Sequence, residues 1–127
     1  KSLDDLQKHA CLRLVNPSIT PQWHLVSENS CSYQIDITGP LIADTPELLL
    51  DMVQQDMGIA LLPTFAVIEA IRTGRLCRVL ADWRSPDIGV YTLLPSRHFI
   101  DAKTRAWLTW VEQHISPKIQ SDTDYFL

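Results

Sequence analysis

Reactions at side chains need a nucleophile beside a base, paired carboxylates, or metal ligands close enough to converge within hydrogen-bond reach. The four histidines (His9, His24, His98, His114) fall in four different expected elements, with no HxH or HxxxH pair. A zinc site would therefore have to be assembled wholly by the fold, so no metal or cofactor is expected, and each histidine reads more simply as a surface or boundary residue. No GxGxxG, GxxxxGK[ST] or GxSxG occurs, and four glycines (Gly39, Gly58, Gly74, Gly89) cannot form a phosphate-cradling loop. The expectation is a protein that binds and does not catalyse. Two features could bind. A helix start at Asp44-Thr45-Pro46 offers unpaired backbone donors and the positive dipole end, able to hold a carboxylate, although capping alone explains it equally well. The loop Asn16, Ser18, Thr20 is polar, as loops are with or without a ligand. If both lie at one sheet edge, they form two walls of one crevice.

The elements that must position them follow from periodicity and punctuation. Ser2 to His9 reads as a short capped helix, with Asp4 and Asp5 at its positive end. Cys11 to Val15 reads as a strand, and the two prolines of Asn16 to Pro21 make the next stretch a loop. Trp23–Val26 and Ser32–Ile37 read as a hairpin, the second strand alternating apolar Tyr33, Ile35, Ile37 with polar Gln34, Asp36. After the break at Gly39-Pro40 comes a brief extended Leu41 to Ala43. Thr45 then suits an N-cap, Pro46 the first helical position and Glu47 the dipole. Leu48, Leu49, Met52, Val53 and Met57 recur along one helix side, and Gly58 is expected at its left-handed cap.

Ile59 to Leu62 has the unbroken apolar character of a doubly covered parallel strand, stopped by Pro63 and Thr64. A second helix from Phe65 to Thr73 ends at Gly74, and a strand is expected over Leu76–Leu80. The order implies right-handed α/β crossovers. A turn over Asp82–Asp87, a strand over Ile88–Leu94 and a helix from Asp101 to about Ile115 complete the reading. That helix carries Ala106, Trp107, Trp110, Val111 and His114 on one side, a wide apolar stripe that needs a large surface to lie against. From Ser116 onward the tail is polar and expected to be loose.

The bulk numbers set limits. The chain has 127 residues, is 46% hydrophobic and carries a net charge of −4. That suits one domain or large subdomain, and the scattered Lys and Arg offer no basic stripe for a phosphate backbone. Three unpaired cysteines (Cys11, Cys31, Cys77) suggest reduced, buried thiols in the cytosol, a redox-sensing pair being the alternative. No apolar run approaches the roughly 20 residues that cross a bilayer, and no leader is evident. The opening residue, Lys1 rather than Met, suits an excised fragment or trimmed terminus.

Read in order, Asp5-Leu6, His9-Ala-Cys11-Leu12, Trp23, Gly58-Ile-Ala-Leu-Leu-Pro63, Gly74-Arg-Leu76, Val79-Leu80, Trp83, Val90-Tyr91, Pro95-Ser-Arg97 and Lys103-Thr-Arg105 resemble the effector domain of LysR-type bacterial transcription regulators. The resemblance implies a periplasmic-binding-protein-like α/β fold of type II: two lobes joined by crossing strands, an effector between them. It implies that residues 1–95 are the second lobe, a three-layer unit whose mixed sheet is flanked by helices. Residues 96–115 would carry the chain into a helix of the first lobe, and 116–127 would be a polar tail. The first lobe's opening elements and the winged helix-turn-helix have no counterpart in this chain.

By the same resemblance Asn16, Ser18, Thr20, Asp44, Thr45, Pro63 and Thr64 line the effector cleft. Trp107, Trp110 and Val111 dock on the first lobe or on another copy. The implied partners are a small organic acid or other polar metabolite, further copies of the chain, and DNA only through the absent domain, in the cytoplasm. A lobe of an exported solute-binding protein, or a small α/β enzyme, would be the rival readings.

Overall fold

The computed structural model describes residues 2–15, 22–27, 29, 31–94 and 100–126. The chain forms two compact units, Lys1–Asp87 and Ile88–Leu127. In the first, a 3₁₀ helix, Leu3–Lys8, leads into β1, Cys11–Leu14. The Asp5 carboxylate accepts from the Ser2 N–H at 3.0 Å and pairs with Lys8. These partners hold the Asp5 carboxyl below its ordinary value, the Ser2 N–H contributing most.

Strand β1 is the centre of a parallel sheet because both neighbours reach it through long connections. β4, Ile42–Ala43, lies on one side and β5, Ile59–Ala60, on the other. Its residues alternate between two cores, as the pleat demands. Leu12 is fully buried with Ala43 and Leu49 beneath helix α1, Pro46–Gln54, where Met52 and Val53 also pack. Cys11 lies on the opposite face with Leu6, Trp23, Leu25, Ile35 and Ile37. That face is covered by a second, antiparallel sheet: the expected hairpin of β2, Gln22–Ser27, and β3, Ser32–Asp36, extended by β6, Trp83–Arg84. Gly39 permits this closeness, since a Cβ there would overlap the Cys11 carbonyl. Helix α2, Thr64–Arg72, packs against α1. The α/β expectation holds, but the expected single mixed sheet does not: parallel and antiparallel pairing fall in separate sheets, and the antiparallel one, not a helix, covers the Cys11 face.

Several expectations are corrected. Helix α1 stops at Gln54, and Asp56 (φ 59°), not Gly58, takes the left-handed position, so Met57 falls beyond the helix and is exposed. Gly58, at φ 153°, is required for another reason: a Cβ there would collide with the Ala10 carbonyl, which accepts the Ile59 N–H at 2.9 Å. Leu48, placed on the apolar side by the sequence reading, is exposed at 45%. Leu76–Leu80 is not a strand. After Gly74, at φ 71°, the N–H groups of Arg75 and Leu76 turn back to the Ala70 carbonyl. The Arg78 guanidinium then donates to the carbonyls of Ala81 and Trp83. This looped path holds Leu80 at φ 53° and delivers Trp83 and Arg84, expected in a turn, to the edge of β2.

In the second unit Ile88–Leu94 has no strand partner among the described residues, and Ile88, Val90, Tyr91 and Leu93 are exposed. The final helix, α3, Ala102–Asp124, runs well past Ile115 and contains Pro117, so the expected loose tail is helical up to Asp124. Its start is as expected: Asp101 accepts the Thr104 N–H at 2.6 Å, and that bond lowers the Asp101 pKa. The cysteines are only partly as expected. Cys11 is buried, which pushes its thiol pKa up, whereas Cys31 and Cys77 are exposed.

Candidate functional site at the carboxyl edge of the parallel sheet

The register of β1 with its neighbours decides what meets at the sheet's end. Leu14 pairs with Ala43, and Leu12 with Ala60. Beyond β4, the Val15 N–H still donates to the Ala43 carbonyl at 2.8 Å. Continuing the β5 register by one pleat sets Leu62 level with Leu14. Asp44-Thr45 directly follow the last paired residue of β4, and Pro63-Thr64 come three and four residues after the last paired residue of β5, on opposite flanks of β1. Adjacent strands lie about 4.8 Å apart, so β4 and β5, which lead to the two helix starts, are separated by roughly 10 Å.

Both helix starts lack a side-chain cap for a reason written in their residues. Thr45 is the N-cap of α1, as expected, yet its hydroxyl makes no cap hydrogen bond, and Pro46 supplies no N–H. Pro63 is the N-cap of α2 and has no side-chain acceptor to offer. Neither first turn is closed by its cap residue's side chain, although the Ala66 N–H donates to the Pro63 carbonyl at 3.0 Å, and both dipoles add positive potential at this edge. Asp44, Thr45 and Glu47 are exposed, while Pro63 and Thr64 are half-buried. Asn16, Ser18 and Thr20 lie outside the described residues.

Sequence reasoning passed over one residue here. Arg13 interrupts the apolar run Cys11-Leu12-Arg13-Leu14-Val15 one residue before the end of β1. It shares the Cys11 face and is half-buried, and its Nε is sealed from solvent with no hydrogen-bond partner among the described residues. The signal available in advance was a lone cation inside a strand core, where an unpaired charge is costly.

Other places offer less. A cavity of about 70 Å³ between the two sheets, lined by Leu6, Trp23, Leu25, Leu61, Leu80 and Trp83, is apolar and holds little more than two waters. His9, His24 and His114 are exposed and His98 lies outside the described residues. Among the described residues no three His, Cys, Asp or Glu side chains gather as metal ligands. No described helix is long and apolar enough to cross a membrane. On α3, Trp107 and Trp110 are half-exposed and Val111 is half-buried. Trp110 stacks on His114 at 4.7 Å, and the imidazole Nδ1 lies 2.8 Å from the Trp110 carbonyl oxygen.

A parallel sheet with helix N-termini gathered at its carboxyl edge defines a class, the open α/β folds that bind small molecules at that edge. The LysR substrate binding domain model matches residues 1–116, and the chain belongs to that family. It is 32% identical over 81 residues to the HTH-type transcriptional regulator PtxR of Pseudomonas aeruginosa, covering 64% of this chain and 26% of PtxR. With the uncharacterized HTH-type regulator YcaN of Escherichia coli K12 it shares 31% over 109 residues, 85% of this chain and 35% of that protein. The chain thus spans about a third of the length of these relatives. In structure it is similar to the regulatory domain of AphB from Vibrio vulnificus treated with cumene hydroperoxide. The TM-score is 0.76 at 23% identity, over 89% of this chain and 55% of that one, a likeness of fold.

Proposed function

We propose that this chain is most of the effector-sensing half of a transcription regulator, and that it recognises a small organic acid or other polar metabolite at the carboxyl edge of its parallel sheet. Asn16, Ser18, Thr20, Asp44, Thr45, Pro63 and Thr64 make the contacts, through hydrogen bonds and without bond-making chemistry. The observation that supports this reading is that the two helices following β4 and β5, the strands on either side of β1, both start without a side-chain cap. Residues 1–95 act as the second lobe, and 96–115 lead into a helix that packs in the first lobe, whose opening elements lie outside this chain. Effector binding then selects between lobe arrangements, which shifts DNA binding by a domain also outside the chain. The regulator works in the cytoplasm as a homo-oligomer.

The test is hydrogen exchange on the full-length regulator, with and without a fractionated extract of small metabolites. Slowed exchange at residues 45–48 and 64–66 with an active fraction is the expected result. Activity in a reporter assay with no protection at either helix start would refute the site. The stripe Trp107, Trp110, Val111 is read as a docking face for the other lobe or another copy. The 127-residue chain alone should therefore self-associate in sedimentation velocity, and a monomer at every concentration would count against that assignment.

A further inference from the structure

We propose that the cavity between the two sheets of the first unit is a ligand site separate from the carboxyl edge, and that it takes a compact aliphatic group of about three carbons. The inference goes beyond the proposed function and does not depend on it. The cavity has a closed side and an open one. Leu6, Trp23 and Leu25, all buried, form its inner wall, while Val79, exposed at 38%, stands at its rim with the half-buried Leu80 and Trp83.

Protein interiors pack tightly, because the lining of a void loses its contacts on one side. Here the segment at the rim is held in its own shape by its own bonds. The Arg78 guanidinium donates to the carbonyls of Ala81, at 2.6 Å, and Trp83, at 3.5 Å. The Trp83 N–H donates to the Leu80 carbonyl at 2.9 Å. Along this path Leu80 sits at φ 53°, an unfavourable backbone for a bulky side chain. Tyr33 meets the Trp83 ring edge-on, with centroids 6.4 Å apart, and supports that ring from the side. Strained backbone of this kind gathers at ligand-binding segments, and here it borders an open space.

The lining decides the ligand's chemistry. Its described residues are aliphatic or indole and none is charged, so an ion or a sugar would give up its hydration there with no partner to replace it. The size decides how much fits. An apolar cavity of about 150 Å³ in another protein holds benzene, and this one, at about 70 Å³, offers half that space. The open rim suits either a free small hydrocarbon or the aliphatic end of a larger molecule whose polar part stays in water.

The full chain reports on this directly, because its four tryptophans divide evenly. Trp23 and Trp83 line the cavity, and Trp107 and Trp110 lie on α3 in the second unit. Their indole Nε1–H resonances are followed in a proton–nitrogen spectrum, the α3 pair being assigned by its loss in Trp107→Phe and Trp110→Phe. Dissolved cyclopropane should shift the Trp23 and Trp83 signals to saturation and leave the α3 pair still, and benzene should shift none of the four. Cyclopropylmethanol giving the cyclopropane pattern supports a group carried on a larger molecule, and cyclopropane acting alone supports a free hydrocarbon. Val79→Phe, a bulky side chain at the exposed rim, should weaken cyclopropane binding by roughly tenfold or more. Leu80→Gly should admit benzene, because it removes a lining side chain at a backbone angle that glycine adopts freely.

Shifts that grow in proportion to concentration at all four indoles overturn the proposal, as does silence at Trp23 and Trp83. Cyclopropane binding that Val79→Phe leaves unchanged overturns it too, and this variant decides the matter alone where Leu80→Gly does not fold. Benzene bound by the unaltered chain would refute the assigned size.

Discussion

Helix α1 starts with a residue of the right type for a cap that its side chain does not provide, and that gives a sharp prediction for Thr45→Asp. Thr45 has extended backbone angles (φ −121°, ψ 135°), which a capping residue needs, but its hydroxyl accepts nothing from the first turn. The same chain shows what a carboxylate does in that position. Asp101, also extended (φ −66°, ψ 164°), accepts the Thr104 N–H at the start of α3. A carboxylate at position 45 has equivalent donors three residues on, at Leu48. A formed cap contributes about 1 kcal/mol, and a charge at the positive dipole end adds roughly 0.3–1 kcal/mol more. For a unit of this size that corresponds to a rise of roughly 4–8 °C for each kcal/mol.

The new charge also fills the donors proposed to hold the ligand, so Thr45→Asp should stabilise the chain and weaken carboxylate binding together. Differential scanning calorimetry and an acetate titration on one preparation read both. A variant that is more stable and binds acetate unchanged would show that the first turn of α1 is not the ligand's seat. One that is no more stable would show that the donors already have a partner.

Three further outcomes follow from the same geometry. Gly58→Ala, which drives a Cβ into the Ala10 carbonyl, should be far more destabilising than Gly74→Ala, where nothing stands within 4 Å. At Gly74 the left-handed backbone alone costs about 1–2 kcal/mol, and chemical denaturation of the two variants compares them. Leu49→Ala removes a fully buried contact between α1 and β1 and should cost about 2–5 kcal/mol, measured the same way. The Asp101 cap sets an acid-side pH dependence. Its folded pKa lies below the ordinary 3.8, so through that window the unfolded chain holds more protons. The cap's contribution is present above 3.8 and lost as pH falls through the folded value. Circular dichroism should show that loss, and Asp101→Asn should flatten it.

Much of this architecture was legible because its causes are local. The burial of Ile35 and Ile37, though not of Tyr33, which is exposed at 44%, the turn before Ser32, and the Thr45-Pro46 start each carry their reason within a few residues. The site was legible to the extent that strand ends mark it: Asp44, Thr45, Pro63 and Thr64 arrive where strands of known direction must end. Asn16, Ser18 and Thr20 lie outside the described residues, so their part in it stays a proposal. Arg13 was missed because periodicity weighs a strand by its apolar members and treats a lone cation as noise.

The two misread strands share one physical cause. Leu76–Leu80 and Ile88–Leu94 both have strand-forming side chains, but a strand is a pairing, and its energy comes from a partner's hydrogen bonds and cross-strand contacts. At Leu76–Leu80 the competing bonds are short-range: Arg78 takes the Ala81 and Trp83 carbonyls, and the chain turns before it can pair. At Ile88–Leu94 no partner strand stands among the described residues, so side chains suited to a covered sheet are left open to water, Leu93 at 91% exposure. Exposed apolar surface of that extent is costly at roughly 25 cal/mol per Å². Part of the information that folds this segment therefore belongs to a surface that neither the local pattern nor the described residues contain. On the proposed reading that surface is the first lobe. Supplying it should bring Ile88–Leu94 into a sheet, and hydrogen exchange slowed at these residues in the full-length regulator, relative to the 127-residue chain, is the outcome that argument requires.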